Sequence, residues 1–539
     1  MRIGIPLEPD ARQPLVAATP DTVAKLIKLG YDVDVQAGAG DHAAYPDDLY
    51  VAAGARLVGE DVWRADIITT LDTPPREYRN LMKPGAMLVS RLAPGRNPEL
   101  LDELASSHFT ALAMDAVPRL SRAQSMDVLS SMANIAGYRA VVEAANAFGR
   151  LFTGQVTAAG KVPPATVYVI GAGVGGLAAI GTANSMGAIV KATDLRPEAG
   201  EQVESMGAEF IPIPVASEKS SDGYAKEMTD DQATAAAKLY AEQSAAADIV
   251  ITTANIPGRK SPLLLTADDV RAMRPGSVIV DMAAANGGNC ELTVPGEVIV
   301  TDNGVTIIGH TDLAGRLPGQ ASQLYGQNIV NLFKLITPDK DGTPILDLND
   351  EIVRGITVTL NGASSSKGGD AGNVEAETTG AATDTAILWP PPPVQVSATP
   401  AAAAQEKLAA AATAEAPEKV AFMGGAKAKV GLALAVILGV AVILASPATV
   451  SVNYMVLTLA IVLGFYVISA VTPRLHTPLM SETNAISGIV LVGAILVVSS
   501  SNIIVSSLAF LAILLSSINI FGGFTITDRM LGMFRKEEA

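Results

Sequence analysis

Three of the four glycines in a short run are the residues whose spacing most clearly predicts chemistry. The run Gly171-Ala-Gly-Val-Gly-Gly176 follows a β-like segment and precedes a helical one, which is the context that a dinucleotide-binding G-x-G-x-x-G loop requires. Gly171 allows a tight turn, Gly173 lets the backbone approach a pyrophosphate, and Gly176 lets helix and strand pack closely. A pyrophosphate would then lie at a helix N-terminus, where free N–H groups favour an anion. The chain has only one such fingerprint, so we expect one dinucleotide per chain.

A carboxylate follows the glycine run at the spacing that this fingerprint requires. Asp194 comes directly after the predicted strand Ile189–Thr193, about 20 residues beyond the loop. There it can accept hydrogen bonds from an adenosine ribose, and its charge repels a 2′-phosphate, so the sequence favours NAD over NADP. Arg196 weakens that preference, because a nearby arginine can accommodate the extra phosphate. The alternative is a glycine-rich turn beside a solvent-exposed aspartate.

Polar side chains recur at intervals of three ahead of a long apolar segment. Gln124, Asp127 and Ser130 would share one face of a helix, and Arg119 and Arg122 precede them. Such a cluster at the edge of a nucleotide-binding domain can orient a nicotinamide carboxamide, which needs both donors and acceptors. Helix capping explains the same polarity without a ligand, because the first turn of a helix has free N–H groups. Both interpretations stay open from the sequence.

The sequence contains no arrangement typical of nucleophilic or metal-assisted catalysis. Its four histidines are scattered, without the spacing of a catalytic triad or a metal site, so we expect no metal. Hydride transfer between nicotinamides needs no such groups, since the cofactors supply the chemistry and the protein positions them. A polar loop at 217–225 carries Tyr224, which either closes over a nucleotide or lies idle at the surface.

Alternating strand and helix patterns position these groups. Short β-like runs separated by helical ones predict an α/β fold with two Rossmann-like, doubly wound parallel-sheet subdomains. The first comprises residues 1–130 and about 310–375, and the second, nucleotide-binding subdomain comprises 131–309. A long helix at 126–148, with Ser125 as its candidate N-cap, joins them. The strands predicted in the second subdomain are 166–170, 189–193, 209–213, 248–253, 277–281 and 306–309.

The composition changes sharply after the second sheet. Residues 362–425 are rich in Gly, Ser, Pro and Ala and poor in large apolar groups, which is typical of a flexible linker. Two uncharged apolar stretches follow, each about twice the ~20 residues that one membrane-crossing helix needs. We therefore expect an all-α transmembrane bundle at 426–527 and a tail at 528–539. Four helices are predicted, at 430–449, 453–472, 484–500 and 503–523.

Charge constrains the compartment and the orientation of the chain. A net charge of −16 argues against nucleic-acid binding, which needs clustered Lys and Arg, and the single cysteine excludes an intrachain disulfide framework. The N-terminus carries no apolar signal segment. The basic residues that flank the predicted spans all fall on one side of a four-helix bundle, and the positive-inside rule makes that side cytoplasmic. We expect a multi-pass protein of the bacterial inner membrane, with its soluble domain and both termini in the cytoplasm.

Three polar residues flank the second and third predicted spans, namely His476, Glu482 and Asn484. Polar side chains at membrane depth are energetically costly and often functional, so these residues are candidates for a role in proton movement. A loop anchored at the membrane interface is the alternative explanation.

Long runs of matching sequence point to a known family. They are Arg119-Leu-Ser-Arg-Ala-Gln-Ser-Met-Asp127, Gly137-Tyr-Arg-Ala140, Thr157-Ala-Ala-Gly160, Gly223-Tyr-Ala-Lys-Glu-Met228, Gly287-Gly-Asn-Cys290, His476-Thr-Pro-Leu-Met480, Thr483-Asn-Ala-Ile-Ser-Gly488 and Ile518-Asn-Ile-Phe-Gly-Gly-Phe524. Over essentially its whole length the chain resembles the alpha subunit of proton-translocating NAD(P) transhydrogenase. The resemblance implies hydride transfer between NAD(H) on this chain and NADP(H) on a partner beta subunit, coupled to proton movement, in an alpha2beta2 assembly.

The same resemblance implies roles for individual residues. Arg119, Gln124, Asp127 and Ser130 would surround the nicotinamide, and Tyr224 would lie on a mobile loop. The remaining nucleotide contacts would include Leu120, Ser121, Arg122, Val174, Asp194, Leu195, Arg196, Gly223 and Asn255.

The soluble part is also similar to alanine dehydrogenase, starting with Met1-Arg-Ile-Gly-Ile-Pro6. That family uses a lysine and a histidine against its amino-acid substrate. Neither residue occurs around Leu71-Asp-Thr-Pro74 or Ser90-Arg-Leu-Ala93. A membrane-tethered amino-acid oxidoreductase is therefore the alternative, and it would lack its acid–base groups.

Overall fold

Two units make up the chain, Met1–Glu415 and Ala416–Ala539. The structure is a computed structural model, and it describes residues 1–214, 230–255, 260–362, 385–392, 488 and 491–534. The first unit contains two large sheets covered by helices, as the alternation of strand and helix patterns predicts.

The strands of the first unit are short and mostly buried. In chain order they are β1 (Arg2–Ile5), β2 (Asp32–Gln36), β3 (Arg56–Val58), β4 (Ile67–Asp72), β5 (Met87–Arg91), β6 (Thr110–Ala113), β7 (Gln155–Thr157), β8 (Gly160–Val162), β9 (Thr166–Ile170), β10 (Ile189–Thr193), β11 (Glu209–Phe210), β12 (Ile249–Thr252), β13 (Val278–Asp281), β14 (Val298–Val300), β15 (Thr306–Ile308), β16 (Thr357–Leu360) and β17 (Ala386–Ile387).

Helices connect most of these strands. They are α1 (Pro20–Ile27), α2 (Asp47–Ala52), α3 (Arg76–Arg79), α4 (Pro98–Ser106), α5 (Val128–Phe148), α6 (Val174–Ser185), α7 (Ala199–Ser205), α8 (Asp230–Ala246), α9 (Ala267–Ala272), α10 (Pro318–Ile336) and α11 (Glu351–Ile356). A 3₁₀ helix, Ser121–Met126, directly precedes α5.

The first sheet has the order β17-β16-β6-β5-β4-β1-β2-β3. Its central strands β4 and β6 are almost wholly buried, which is typical of a parallel sheet with both faces covered. The chain returns to this sheet after the second one, and β16 and β17 extend its edge in antiparallel pairs. Strand β17 lies inside the predicted 362–425 linker, so part of that segment belongs to the first subdomain.

The second sheet has the order β11-β10-β9-β12-β13-β15-β14. All of its pairs are parallel except the one between β14 and β15. The strand order reverses between β9 and β12, which is the switch point where open α/β sheets bind ligands. Strand β14 was not predicted, and the three-residue run Val298–Val300 is too short and too exposed to give a clear periodic signal.

Two segments carry the chain between the subdomains. The first half of α5 packs in the core of the first subdomain, whereas its second half packs in the core of the second, and Ala136 contacts both. The return segment changes core between Leu313 and Ala314, just before α10. These two crossings connect the two subdomains of the first unit.

A buried carboxylate ties the two crossings together. Glu143 on α5 accepts hydrogen bonds from Arg139, at 2.8 Å, and from Arg316 on the return segment. Burial alone would raise the pKa of Glu143, but these hydrogen bonds outweigh it and hold that pKa below its usual value. His310 lies 4.0 Å from the same carboxylate, and burial together with the charge of Arg316 lowers the pKa of its imidazole. The imidazole of His310 is therefore neutral, and the positive charges that face Glu143 are those of Arg139 and Arg316.

The second unit is described mainly by one helix, Ile503–Phe534. Large apolar side chains of this unit are exposed, among them Leu496 and Ile503. Among the residues that the structure describes, no helix combines the length and apolarity needed to span a membrane. The predicted spans 430–449 and 453–472 lie outside the described residues.

Candidate nucleotide-binding site

The glycine run forms the turn between β9 and α6. Gly171 has φ +102°, and a Cβ on Gly176 would lie 1.9 Å from the carbonyl oxygen of Gly171, so both positions need glycine for the turn itself. A Cβ on Gly173 would meet no atom within 4 Å among the described residues. Gly173 is the N-cap residue of α6 and Val174 begins the helix. The backbone at Gly173 is thus open to a ligand at the helix N-terminus.

Asp194 lies at the end of β10 beside this turn. Its carboxylate accepts hydrogen bonds from the Ala172 backbone N–H, at 2.7 Å, and from the Arg196 backbone N–H, at 2.8 Å. The Arg196 guanidinium also donates to it, at 2.9 and 3.1 Å. Burial would lower the pKa of Arg196, but the hydrogen bonds and charge of Asp194 outweigh burial and raise it. Leu195, half-buried, lies between the two.

The Asp194–Arg196 pair bears on the choice of nucleotide. Asp194 holds the guanidinium against its own carboxylate and the glycine turn, where Arg196 also reaches the carbonyl oxygen of Ala172 at 3.4 Å. An arginine bound in this way is not positioned to receive a 2′-phosphate without giving up its aspartate. Arg196 is therefore paired with Asp194, and the preference for NAD stays a prediction from the sequence.

The polar run before α5 does not form one continuous helical face. Gln124 lies on the 3₁₀ helix, and Asp127, with φ −73° and ψ 95°, is the N-cap of α5. Its carboxylate accepts from the Ser130 backbone N–H, at 2.9 Å, and from the Ser130 hydroxyl, at 2.6 Å. The expectation that Ser125 caps this helix was wrong, because the chain becomes α-helical only at Val128. Helix capping explains the contact between Asp127 and Ser130 without a ligand. Both residues lie at the N-terminal end of α5.

Arg122 is fixed by a residue that the sequence analysis missed. Its guanidinium donates to both carboxylate oxygens of Asp350, at 2.5 and 3.1 Å, and Asp350 also caps α11. The backbone carbonyl of Ser125 accepts from Asn328 and Asn331 of α10, at 2.9 and 2.8 Å. All three partners are far away in the chain, so no local pattern could identify them. Together they hold the 3₁₀ helix in place.

The remaining residues of the run surround this helix. Leu120 is buried, Arg119 is half-buried, and Ser121 is exposed at the start of the 3₁₀ helix. The Nε2 atom of Gln124 is buried and has no hydrogen-bond partner among the described residues. An unpaired buried amide is unfavourable unless a ligand or water satisfies it. A nicotinamide carboxamide oxygen is an acceptor of the right kind for this donor.

The structure brings the polar run and the glycine loop together. A Cβ on Gly175 would lie 3.1 Å from the carbonyl oxygen of Ala133, and one on Gly137 would lie 2.0 Å from the carbonyl oxygen of Gly175. The second and third turns of α5 therefore pack backbone to backbone on the first turn of α6. Ser130 lies one helical turn before Ala133, so it is close to the glycine loop. The two candidate regions therefore lie on helices that pack directly on each other.

Two asparagines lie beyond the carboxyl ends of β12 and β13. Asn255 follows β12, and its amide oxygen accepts from Asn286, at 3.0 Å, and from the Ser261 hydroxyl, at 3.4 Å. Asn286 ends the 3₁₀ helix Ala284–Asn286 that follows β13. Sequence reasoning missed Asn286, although it directly precedes the quoted run Gly287-Gly-Asn-Cys290.

Five predicted residues fall outside the described part of the chain. They are Gly223, Tyr224, His476, Glu482 and Asn484. Among the described residues, no group of three or more His, Cys, Asp or Glu side chains is arranged to hold a metal ion.

Comparison with known proteins gives a consistent picture. Three family models match: alanine dehydrogenase/PNT, N-terminal domain, over residues 4–136; alanine dehydrogenase/PNT, C-terminal domain, over 140–367; and the 4TM region of pyridine nucleotide transhydrogenase over 453–536. The NAD(P) transhydrogenase subunit alpha of Haemophilus influenzae is 49% identical over 99% of this chain and 100% of its own length. The chain belongs to the NAD(P) transhydrogenase subunit alpha family.

Solved structures agree with this family and with its relation to alanine dehydrogenase. A transhydrogenase from Sinorhizobium meliloti is 41% identical, with a TM-score of 0.61 over 67% of this chain and 99% of its own. An L-alanine dehydrogenase is 27% identical, with a TM-score of 0.53 over 62% of this chain and 90% of its own. The two Rossmann-like parallel-sheet subdomains predicted from the sequence are confirmed. The transhydrogenase alpha subunit and alanine dehydrogenase share this architecture.

The segments where this subunit departs from alanine dehydrogenase contact each other. Arg91 at the end of β5 binds Asp72 at the end of β4, at 2.7 Å, and donates to the Leu71 carbonyl oxygen at 3.1 Å. Thr73 donates to the Arg91 carbonyl oxygen at 3.0 Å, and Gln13 donates to Asp72 at 2.9 Å. These polar groups satisfy one another, so they are not arranged as an acid and a base facing a substrate.

Proposed function

We propose that this chain is the NAD(H)-binding subunit of a proton-translocating transhydrogenase and acts only together with a beta subunit that binds NADP(H). One observation carries the proposal: the first turn of α6, which follows the open backbone at Gly173, packs on α5 at Ala133 and Gly137. One nucleotide bound at the N-terminus of α6 can therefore extend towards the polar run that precedes α5. The match to transhydrogenase alpha subunits over the whole chain supports it.

The chain's own residues bind and orient the nucleotide. Free N–H groups at the start of α6, from Gly173 and Val174, receive the pyrophosphate, and Asp194 accepts from the adenosine ribose. Gln124 donates to the carboxamide, while Asp127 and Ser130 define the nicotinamide side of the site. When bound, the nicotinamide dinucleotide supplies the hydride chemistry, and no acid or base of the protein is required.

Other residues complete the proposed site. The wall of the site beside the 3₁₀ helix is formed by Arg119, Leu120 and Ser121. The nicotinamide end of the site is supported by Arg122, and the adenosine end is supported by Leu195. Gly223 and Tyr224 lie outside the described part of the chain. We assign them to a loop that covers the bound nucleotide.

The C-terminal unit joins this site to the membrane. We assign it four helices, with the N-terminal unit and both termini in the cytoplasm and two alpha and two beta subunits in the assembly. The two nicotinamide couples differ little in intrinsic potential, so proton passage supplies the drive. One proton crossing about 150 mV releases roughly 3.5 kcal/mol, enough to shift the nucleotide ratio some 300-fold. His476, Glu482 and Asn484 are proposed to lie near the proton path or to anchor its loop.

The test separates three functions. The full chain, purified alone, should bind NADH, reduce no NADP⁺ analogue and oxidise no alanine. Adding the membrane-bound beta subunit should start reduction of the analogue. Alanine oxidation by the chain alone would instead establish the dehydrogenase alternative. NADH binding without turnover in the presence of the partner would establish a non-enzymatic NAD sensor.

Asp127→Asn provides the matched variant for this test. The amide still accepts from the Ser130 N–H and keeps the cap, but it removes the charge beside the nicotinamide. We expect slower hydride transfer with nearly unchanged NADH affinity. A large loss of affinity would instead make Asp127 a binding residue.

A further inference from the structure

A chain of hydrogen bonds crosses from the first subdomain to the nucleotide-binding one. Arg96 Nη1 donates to the amide oxygen of Asn286 at 2.9 Å, and Asn286 Nδ2 donates to the amide oxygen of Asn255 at 3.0 Å. Arg96 lies between β5 and α4, whereas the two asparagines follow β13 and β12 at the carboxyl edge of the second sheet. This series of hydrogen bonds therefore connects the first subdomain to the nucleotide-binding one.

The turn that carries Arg96 is anchored at several points. Asp115 accepts from the backbone N–H groups of Leu92 and Ala93, at 2.9 and 2.8 Å. Asn97 donates to the Leu92 carbonyl oxygen at 3.0 Å. Trp389 packs on the core of the first subdomain and would lie 3.9 Å from a Cβ on Gly95. These contacts hold the backbone that carries the Arg96 side chain in place.

Each bond in the chain sets the orientation of the next amide group. An arginine can only donate, so Asn286 must present its oxygen to Arg96 and its NH2 group to Asn255. The Asn255 oxygen then accepts, and its NH2 group is the part that a ligand can meet. That donor matches a ribose hydroxyl or carboxamide oxygen on the nicotinamide half of a dinucleotide. Removing Arg96 removes the donor that requires the Asn286 amide oxygen to face the first subdomain.

We propose that Arg96 is a positioning residue that orients Asn255 through Asn286 and so tunes binding of the nicotinamide half. This inference rests on the proposed function, because it needs a dinucleotide at the cleft. The adenosine half of the dinucleotide lies on the other side of the switch point, at Asp194. Its binding does not depend on the hydrogen bonds between Arg96, Asn286 and Asn255. The link also makes binding in the second subdomain depend on a residue of the first.

The experiment compares two ligands on the full-length chain. Arg96→Ala should weaken NADH binding about five- to tenfold, the effect of losing one neutral hydrogen bond from Asn255 to the ligand, and leave 5′-AMP binding unchanged. The thermal midpoint should not change. Arg64→Ala, at an exposed arginine of the same subdomain outside the cleft, is the matched control and should bind both ligands as the unmodified chain does.

A double-mutant cycle tests the route. If Arg96 acts through Asn286, Arg96→Ala combined with Asn286→Ala should weaken NADH binding no more than Asn286→Ala alone. Additive losses, equal losses for NADH and 5′-AMP, or unchanged NADH affinity in Arg96→Ala would each overturn the positioning role. Failure of the unmodified chain to bind NADH would instead count against the proposed function.

Discussion

Glu8 provides a direct test of how burial controls a charge in the first subdomain. It follows β1, is 6% exposed, and accepts a hydrogen bond from the Leu71 backbone N–H at 2.7 Å. Burial raises the pKa of Glu8 from 4.5 to about 8, and the hydrogen bond from Leu71 only partly opposes this. The folded protein therefore holds a protonated carboxyl at neutral pH, whereas the unfolded chain holds a carboxylate.

The sign and size of the effect follow from this difference in pKa. The contribution of Glu8 to stability is fully present below pH 4.5 and is lost progressively as the pH rises to about 8. The loss amounts to about 3 kcal/mol at pH 7 and about 4 kcal/mol at pH 8. Glu8→Gln keeps an acceptor for the Leu71 N–H and has no charge to bury. We therefore expect it to stabilise the first subdomain increasingly as the pH rises.

Tryptophan fluorescence measures this subdomain alone. The sequence has two tryptophans, Trp63 and Trp389, and both pack on a core of the first subdomain. Urea unfolding of the full chain should show the midpoint of Glu8→Gln moving above that of the parent by about 1 M between pH 5 and pH 8. Glu99→Gln, at an exposed site, should shift little over this range. Parallel pH profiles for the parent and Glu8→Gln would refute the reasoning.

Three further predictions concern the site and the two crossings between the subdomains. Gly173→Ala should fold normally but lose NADH affinity, because its Cβ enters the ligand space, whereas Gly176→Ala should lower the thermal midpoint, because its Cβ collides with the backbone. Asp194→Ala should weaken NADH binding and strengthen NADPH binding, as titrations of both nucleotides will show, because it frees Arg196 for a 2′-phosphate. Glu143→Gln should destabilise the first unit by about 2 kcal/mol in urea unfolding, because Arg139 and Arg316 lose the buried counter-charge that they share. In the parent that contribution should disappear as the pH falls through the lowered pKa of Glu143.

The glycine loop was the most predictable part of the molecule. Strands β9 and β10 match the predicted bounds, and the loop between β9 and α6 has the expected turn at Gly171. Their signals are local: a continuous apolar run, a fixed glycine spacing, and a carboxylate at the end of the next strand. Each constraint operates within about 30 residues, so the sequence carries it directly.

The parts that escaped prediction depend on contacts between distant residues. Nothing near Arg122 indicates that Asp350 binds it, and nothing near Asn255 indicates Asn286. The short edge strand β17 forms by pairing with β16 and has no periodicity of its own. The interval of three among Gln124, Asp127 and Ser130 predicted a helical face, but the N-cap requirement interrupts the helix at Asp127.

Helix α5 also limits how the protein can be divided. Its two halves belong to different cores, and Gly137 near its middle lies against the backbone of Gly175. A fragment that starts at residue 131, the predicted subdomain boundary, would lose the Asp127 cap and leave half of an apolar helix without its core. The nucleotide-binding half is therefore not an autonomous module for grafting or separate expression. Any evolutionary exchange of this half between proteins would have had to carry α5, and a matching first core, with it.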